Sequence, residues 1–398
     1  MMQDILEAMR SRIDPEWLAK QTMDLVRIPS VTMDEADVCA LYERQLRDLG
    51  LDVDVREVTP GRNNLYARIP GSGGGPALLL NGHLDTIPLN NCPQPSRDGD
   101  RIIGRGATDM KGGMAAILGM VRALQESGIR LEGDLWLTAV VGHEEPEAEK
   151  DGPLALIGDI NSGRVAADRI LIVEGRDALW VMSMGSLNFE IIMRSDRGGQ
   201  HTRYTPFGEN PIRYMGDVIK RIHQFQVELD ETTRHPLAGP ERIDLGIAEA
   251  GDYFNRTPLQ CRLVGTRRWT APKSAGEVLA ELSGLVEPIA RDGNLELEVR
   301  MEHEREPFET PMNDPAVQAV AAAHRSVTGE EPEFVGERIV GDANLYVAGT
   351  GIPTFYYGPS NETAHSDFEW VSIDRVASAA AVYAEAAARY CGVAEMGS

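Results

Sequence analysis

Four apolar runs of strand length constrain the fold of this chain most: ALLLNGHLD at 77–85, DLWLTAVVGHEE at 134–145, ADRILIVEG at 167–175 and PTFYYGP at 353–359. Short apolar runs bounded by turn residues read as strands buried on both faces, the kind that parallel sheets contain. Helical periodicity fills the spaces between them. PEWLAKQTMDLVRI ends before Pro29, DEADVCALYERQLRDLGL stops near Gly50, and DMKGGMAAILGMVRALQESG is helical from 110 to about 127. Two further β-rich runs, DVDVREV and NLYARI, come before the first apolar strand. The GSGGG stretch at 71–75 is followed by neither GK[ST] nor a helix, so it is a flexible turn and not a phosphate loop. Strands alternating with helices imply an α/β layer with a largely parallel sheet.

Near residue 185 the texture changes. SLNFEIIMRS, NPIRYMGDVIKRIHQFQVEL, LQCRLVGTRRW, SAGEVLAELSGLVEPIARDG and LELEVRMEHE read as strand, helix, strand, helix, strand. At 398 residues the chain is long for one core. We therefore expect a mixed α/β domain over 1–184 and 303–398, interrupted by an inserted α+β, ferredoxin-like domain over 185–302.

The acidic balance, 62 Asp and Glu against 39 Lys and Arg, argues against nucleic acid or an anionic membrane as a partner held by charge. No apolar run approaches the roughly 20 residues that span a bilayer, and the N-terminus has no apolar leader region. Cys39, Cys92, Cys261 and Cys391 lie far apart and form no CxxC pair, which reads as free thiols in a cytoplasmic protein.

The apolar strands share one more property: each leads into a His, Asp or Glu. His83 and Asp85 stand at i and i+2 of an extended segment, where both point to one side. Asp109 sits in the glycine-rich GRGATDMKGG at the start of a helix, Glu144 and Glu145 follow LWLTAVV, Glu174 follows RILIV, and His365 lies in NETAHSDFEW. Open α/β sheets bind ligands outside the carboxyl ends of their strands. Converged there, two histidines and three carboxylates would supply the N and O ligands for two divalent ions of the zinc, cobalt or manganese type. Adjacent glutamates do not easily hold the same ion, so one of Glu144 and Glu145 can ligate while the other acts as a base.

GHLDTIP, GRGATDMKGGMAA, GHEE, IVEG and AHSDFEWV resemble, in order and spacing, the di-zinc amide hydrolases that include acetylornithine deacetylase, succinyl-diaminopimelate desuccinylase, aminoacylase and carboxypeptidase G. The resemblance extends over nearly the whole chain. It implies that His83 and Glu174 hold one metal, Glu145 and His365 the other, and that Asp109 bridges them. Asp85 would orient His83, and Glu144 would be the general base. The inserted domain would carry a homodimer interface, and His201 in GGQHTRYTP would reach across it to stabilise the oxyanion. Asn255 and Arg268, with Arg267 as an alternative, would bind the carboxylate of a small substrate, and the loop at Gly341 and Asp342 would line the pocket. The implied activity is deacylation of an N-acyl amino acid; the alternatives are a carboxypeptidase cleaving a dipeptide or similar amide, and a less usual C–N bond hydrolysis. A scaffold that has lost catalysis is disfavoured, because the base and all five ligands are present. Two positions depart from the pattern: Gly341 stands where a serine or threonine is expected, and His143, where an acidic or small residue is usual, could contact the substrate or alter the base beside it.

Overall fold

The computed structural model describes residues 2–144 and 148–394. It divides into two compact units, one comprising Met1–Val181, Thr310–Val335 and Leu345–Ser398, the other Met182–Glu309 and Gly336–Asn344.

In the first unit the strands lie side by side in the order Val53–Thr59, Arg62–Ile69, Leu135–Val140, Leu78–His83, Arg169–Ile172 and Thr354–Tyr356. The middle of this sheet is parallel: Leu78–His83 pairs in parallel with Leu135–Val140 and with Arg169–Ile172, and Arg169–Ile172 with Thr354–Tyr356. All six residues of Leu78–His83 are buried, as a strand covered on both faces requires. The helices Gly112–Glu126 and Ile373–Cys391 pack over that strand, and Ala36–Asp48 and Asp151–Asn161 pack over Val53–Thr59 and Arg62–Ile69. Ile373–Cys391 buries all of its alanines together with Val376, Val382 and Tyr383, and short side chains let its backbone approach its neighbours closely. Parallel strands carry their carboxyl ends to the same edge, so His83, Val140 and Ile172 all finish there. That edge is where the charged residues after the apolar runs collect.

The second unit is an antiparallel sheet in the order Arg242–Ala250, Gln260–Trp269, Gly185–Arg194 and Glu296–Arg305, with the helices Pro211–Thr232 and Ala275–Asp292 packed on it. Its chain order is strand, helix, strand, strand, helix, strand. The core joins Leu187, Phe189, Ile191 and Met193 of one strand to Val218, Ile222 and Phe225 of one helix and Val278, Leu282 and Val286 of the other. The period of two along the strand and the spacing of three and four along the helices are what direct these residues inward.

Among the elements that differ from the sequence reading, three stand out. A strand at Arg242–Ala250 adds a fourth to the antiparallel sheet; it lies at the edge, and most of its residues are half-buried or exposed, so it has no apolar run to reveal it. Asp151–Asn161 is a helix that emerges from the charged stretch after Glu144. Asp342–Thr350, read as part of a pocket-lining loop, is also helical, with Gly341 immediately before it. The Gly341 N–H donates to Asn344 Oδ1 at 3.0 Å and the Asn344 N–H to the Gly341 carbonyl at 3.1 Å. A first turn closed by a side chain in this way is a capped helix start.

One close approach fixes the edge that carries the charged residues. A Cβ added at Gly113 would stand 1.9 Å from the Val173 carbonyl oxygen, so the helix Gly112–Glu126 lies backbone to backbone against the residue before Glu174. Gly113→Ala should lower the unfolding free energy by about 1–3 kcal/mol through overpacking; urea unfolding followed by circular dichroism would measure it, and an unchanged midpoint would mean that the two segments are not locked together.

Candidate metal centre

Asp109 is the residue around which the cluster is arranged. Its Oδ1 lies 3.0 Å from His83 Nε2, and its Oδ2 lies 3.3 Å from His365 Nε2. His365 Nε2 is also 3.2 Å from Glu144 Oε1. One carboxylate thus presents each of its oxygens to a different imidazole. Ligand atoms of His83, Asp109 and Glu144 all lie within 4.8 Å of one another, as do those of His83, His143 and Glu174. Glu145 lies outside the described residues.

The electrostatics follow from this packing. Burial works against ionisation of Asp109, but hydrogen bonds with His365 and His83 outweigh it and hold the carboxyl well below the usual carboxylate range. Burial likewise disfavours a charge on His83, yet the contact with Asp109 raises its pKa well above the ordinary value. His365 is pushed up to about 10 by its hydrogen bonds with Asp109 and Glu144. Imidazoles that keep their protons only because carboxylates surround them mark a pocket with surplus negative charge. A divalent cation suits the same pocket, since it takes over from the protons that the ligands must shed. Two imidazoles with carboxylates between them are a donor set of the borderline type that zinc prefers.

The chain positions these groups through buried acceptors. Asp85 is fully buried; its Oδ2 accepts from Thr32 Oγ1 at 2.9 Å and the Glu144 N–H at 2.9 Å, and its Oδ1 from the His143 N–H at 3.0 Å. Its carboxylate, expected to orient His83, stands 3.6 Å from Nδ1. The bond to Nδ1 at 3.0 Å goes to the Asp85 main-chain carbonyl. The tautomer is still fixed, with Nδ1–H donating and Nε2 left for the cluster. His365 has a left-handed backbone, φ 59°, a region in which histidine is over-represented among residues with a side chain and which tends to mark functional positions.

Two further groups were not singled out in the sequence. Glu369, 1% exposed, accepts from the N–H groups of Gly106, Thr108 and Asp109 at 2.9–3.0 Å and from Arg105 at 2.7 Å, and so fixes the loop that presents Asp109. An acidic residue between Phe368 and Trp370 in an otherwise apolar run was the available signal. Glu35 takes a two-toothed bond from Arg62, 2.8 Å on each oxygen, and the Gly142 N–H at 3.1 Å, which steadies the strand end before His143. No local pattern marks that pairing.

Of the remaining expected residues, His201, Asn255, Arg268 and Gly341 belong to the second unit. His201 and Asn255 are within 3.4 Å through Nε2 and Nδ2, and His201 Nδ1 accepts the Arg203 N–H at 3.2 Å. Arg267 is buried and committed to Glu281 at 3.1 Å and to Glu241. Arg268, half-buried beside it, has an Nη1 with no hydrogen-bond partner among the described residues.

A parallel sheet whose strand ends gather imidazoles and carboxylates around one shared aspartate is the frame of a metal-dependent hydrolase. The chain belongs to peptidase family M20/M25/M40, whose model matches residues 79–389, and it is a metal-dependent hydrolase of amide bonds. It is 29% identical over 377 residues to a succinyl-diaminopimelate desuccinylase of Cereibacter sphaeroides, covering 91% of this chain and 96% of that one. It is 27% identical over 368 residues to the N-formyl-4-amino-5-aminomethyl-2-methylpyrimidine deformylase of Bacillus subtilis, covering 83% and 84%. Among solved structures, aminopeptidase PepT from Bacillus cereus shares the fold with a TM-score of 0.76 at 20% identity, covering 94% of this chain and 98% of that one.

Glu369→Gln should lower the unfolding free energy by about 3–5 kcal/mol, because it leaves Arg105 buried without its counter-charge. Chemical denaturation measures this; a loss below about 1 kcal/mol would mean that the ion pair is not what holds the loop at 104–109.

Proposed function

We propose that the chain deacylates a small N-acyl amino acid, using a pair of divalent ions held by His83 and Glu174 on one side, Glu145 and His365 on the other, and Asp109 between them. The observation that carries this reading is Asp109, whose two oxygens face two different imidazoles. The ions, zinc by the balance of donors with cobalt or manganese as alternatives, would polarise the scissile carbonyl and acidify the attacking water. Glu144 then takes the water's proton and hands it to the leaving nitrogen. Its main-chain N–H is tied to Asp85 and its Oε1 reaches His365, so the base is held beside the ligands without being free to swing.

The substrate assignment rests on the second unit. Arg268 Nη1 has no hydrogen-bond partner among the described residues while Arg267 is ion-paired with Glu241 and Glu281, which supports Arg268 as the group that receives a substrate carboxylate in its planar fork. His201 is exposed with Nδ1 accepting a main-chain N–H. With Nδ1 so occupied, Nε2, 3.4 Å from the Asn255 side-chain amide, is the nitrogen that would face the developing oxyanion, contributed in a homodimer formed through 185–302. A desuccinylase and a deformylase among the relatives fit removal of a small acyl group in the cytoplasm. Cleavage of a dipeptide is the runner-up, favoured by the aminopeptidase likeness only at the level of fold.

Purified protein should contain about two divalent ions per chain and lose turnover of N-acyl amino acids on chelation; turnover of dipeptides alone in the same panel would replace deacylation with the runner-up. Glu144→Gln should lower kcat about a hundredfold or more with metal content unchanged, and retained activity would remove Glu144 as the base. Arg268→Met should raise KM about tenfold or more at unchanged stability, whereas Arg267→Met should destabilise the fold by about 3–5 kcal/mol. Steady-state kinetics and urea unfolding on the pair separate the two roles, and the reverse pattern would exchange them.

A further inference from the structure

His143 departs from the family pattern, and the fold gives it a partner that the sequence did not suggest. Glu149 and Lys150 both have a left-handed backbone, φ 50° and 60°, a conformation that residues with a side chain keep only where their surroundings over-determine it. Lys150 is also only 8% exposed, and its Nζ lies 3.4 Å from His143 Nδ1. An ammonium group has donors only, so Nδ1 is the acceptor and the ring proton of His143 sits on Nε2. On its face, the His143 ring stacks on His83 with centroids 4.0 Å apart and planes within 7°. Ligand atoms of His143, His83 and Glu174 lie within 4.8 Å of one another.

Proximity alone would make His143 a further ligand, but two facts oppose that. Parallel rings hold their lone pairs in two separate, parallel planes, so one ion cannot lie in the plane of both. A metal-binding imidazole also donates from its second nitrogen, whereas the second nitrogen of His143 accepts from Lys150. We propose that Lys150 and His143 form a fixed donor relay, from Lys150 Nζ to His143 Nδ1 and from His143 Nε2–H towards the Glu174 carboxylate. His143 is then a positioning residue for the ion that His83 and Glu174 share: its ring face fixes the plane of His83 and its N–H occupies one side of Glu174. This rests on the ligand roles proposed above for His83 and Glu174.

The test reads the ring directly. Nitrogen-15 histidine spectra of zinc-loaded protein should show the His143 ring proton on Nε2, and Lys150→Met should shift it towards the Nδ1–H form. Chelator competition should show one of the two ions held about tenfold more weakly in His143→Phe, which keeps the stack and removes the N–H, and in Lys150→Met. His143→Gln, whose amide restores a donor, should recover most of that loss. A proton on Nδ1 in the wild type, an ion bound to His143 Nε2, or unaltered ion affinity in both weakening variants would overturn the relay. If His143→Phe does not fold, Lys150→Met and the wild-type spectrum decide the question. Wild-type protein that binds no divalent ion would remove the ligand roles instead, while leaving the tautomer of His143 readable.

Discussion

A carboxylate that cannot be solvated organises this site. Asp85 is fully buried, and a buried charge persists only where hydrogen bonds replace its water. The three donors come from two separate segments: the Thr32 hydroxyl from one, and the main-chain N–H groups of His143 and Glu144 from the other. Satisfying that one group therefore draws the end of the Leu78–His83 strand, the residues after Leu135–Val140 and the loop after the helix Pro15–Val26 to a single point. Burial opposes its ionisation, but contact with His83 and the neighbouring charge keep its carboxyl well below the usual range. The knot therefore remains charged, and remains an acceptor, at any pH near neutrality.

Glu369 does for Asp109 what Asp85 does for Glu144. It collects the N–H groups of Gly106, Thr108 and Asp109 on one carboxylate, with Arg105 balancing its charge. Both acids spend their oxygens on main-chain donors, so they shape the cluster without competing for an ion. Precision of this kind is what a catalytic cluster needs, because its ligands repel one another and would splay apart if held by their own side-chain preferences.

The sheet and most of the cluster are legible in the amino-acid sequence. The apolar runs contain the adjacent strands Leu78–His83, Leu135–Val140 and Arg169–Ile172, and the helix after Asp109 begins at Gly112. His83, Asp109, Glu144 and His365 meet within hydrogen-bonding distance. The sequence is silent where the signal is not local. The edge strand Arg242–Ala250 lacks a buried face, the helix Asp342–Thr350 is short and without a clear apolar period, and Glu35 is recognisable only by partners tens of positions away or more.

Composition and periodicity by themselves determined a layered α/β chain with titratable residues at its strand ends, because burial on two faces demands apolar runs and leaves polar groups to the ends. Only the tertiary structure decided which nitrogen of His83 faces the cluster, that the Asp85 carboxylate takes the His143 and Glu144 N–H groups while its main-chain carbonyl takes His83 Nδ1, that Arg267 is engaged in ion pairs with Glu241 and Glu281, and that Lys150 backs His143. The reason is one of range. Burial patterns are encoded every two to four residues, whereas a hydrogen bond depends on tenths of an ångström between groups that the chain brings together from distant positions.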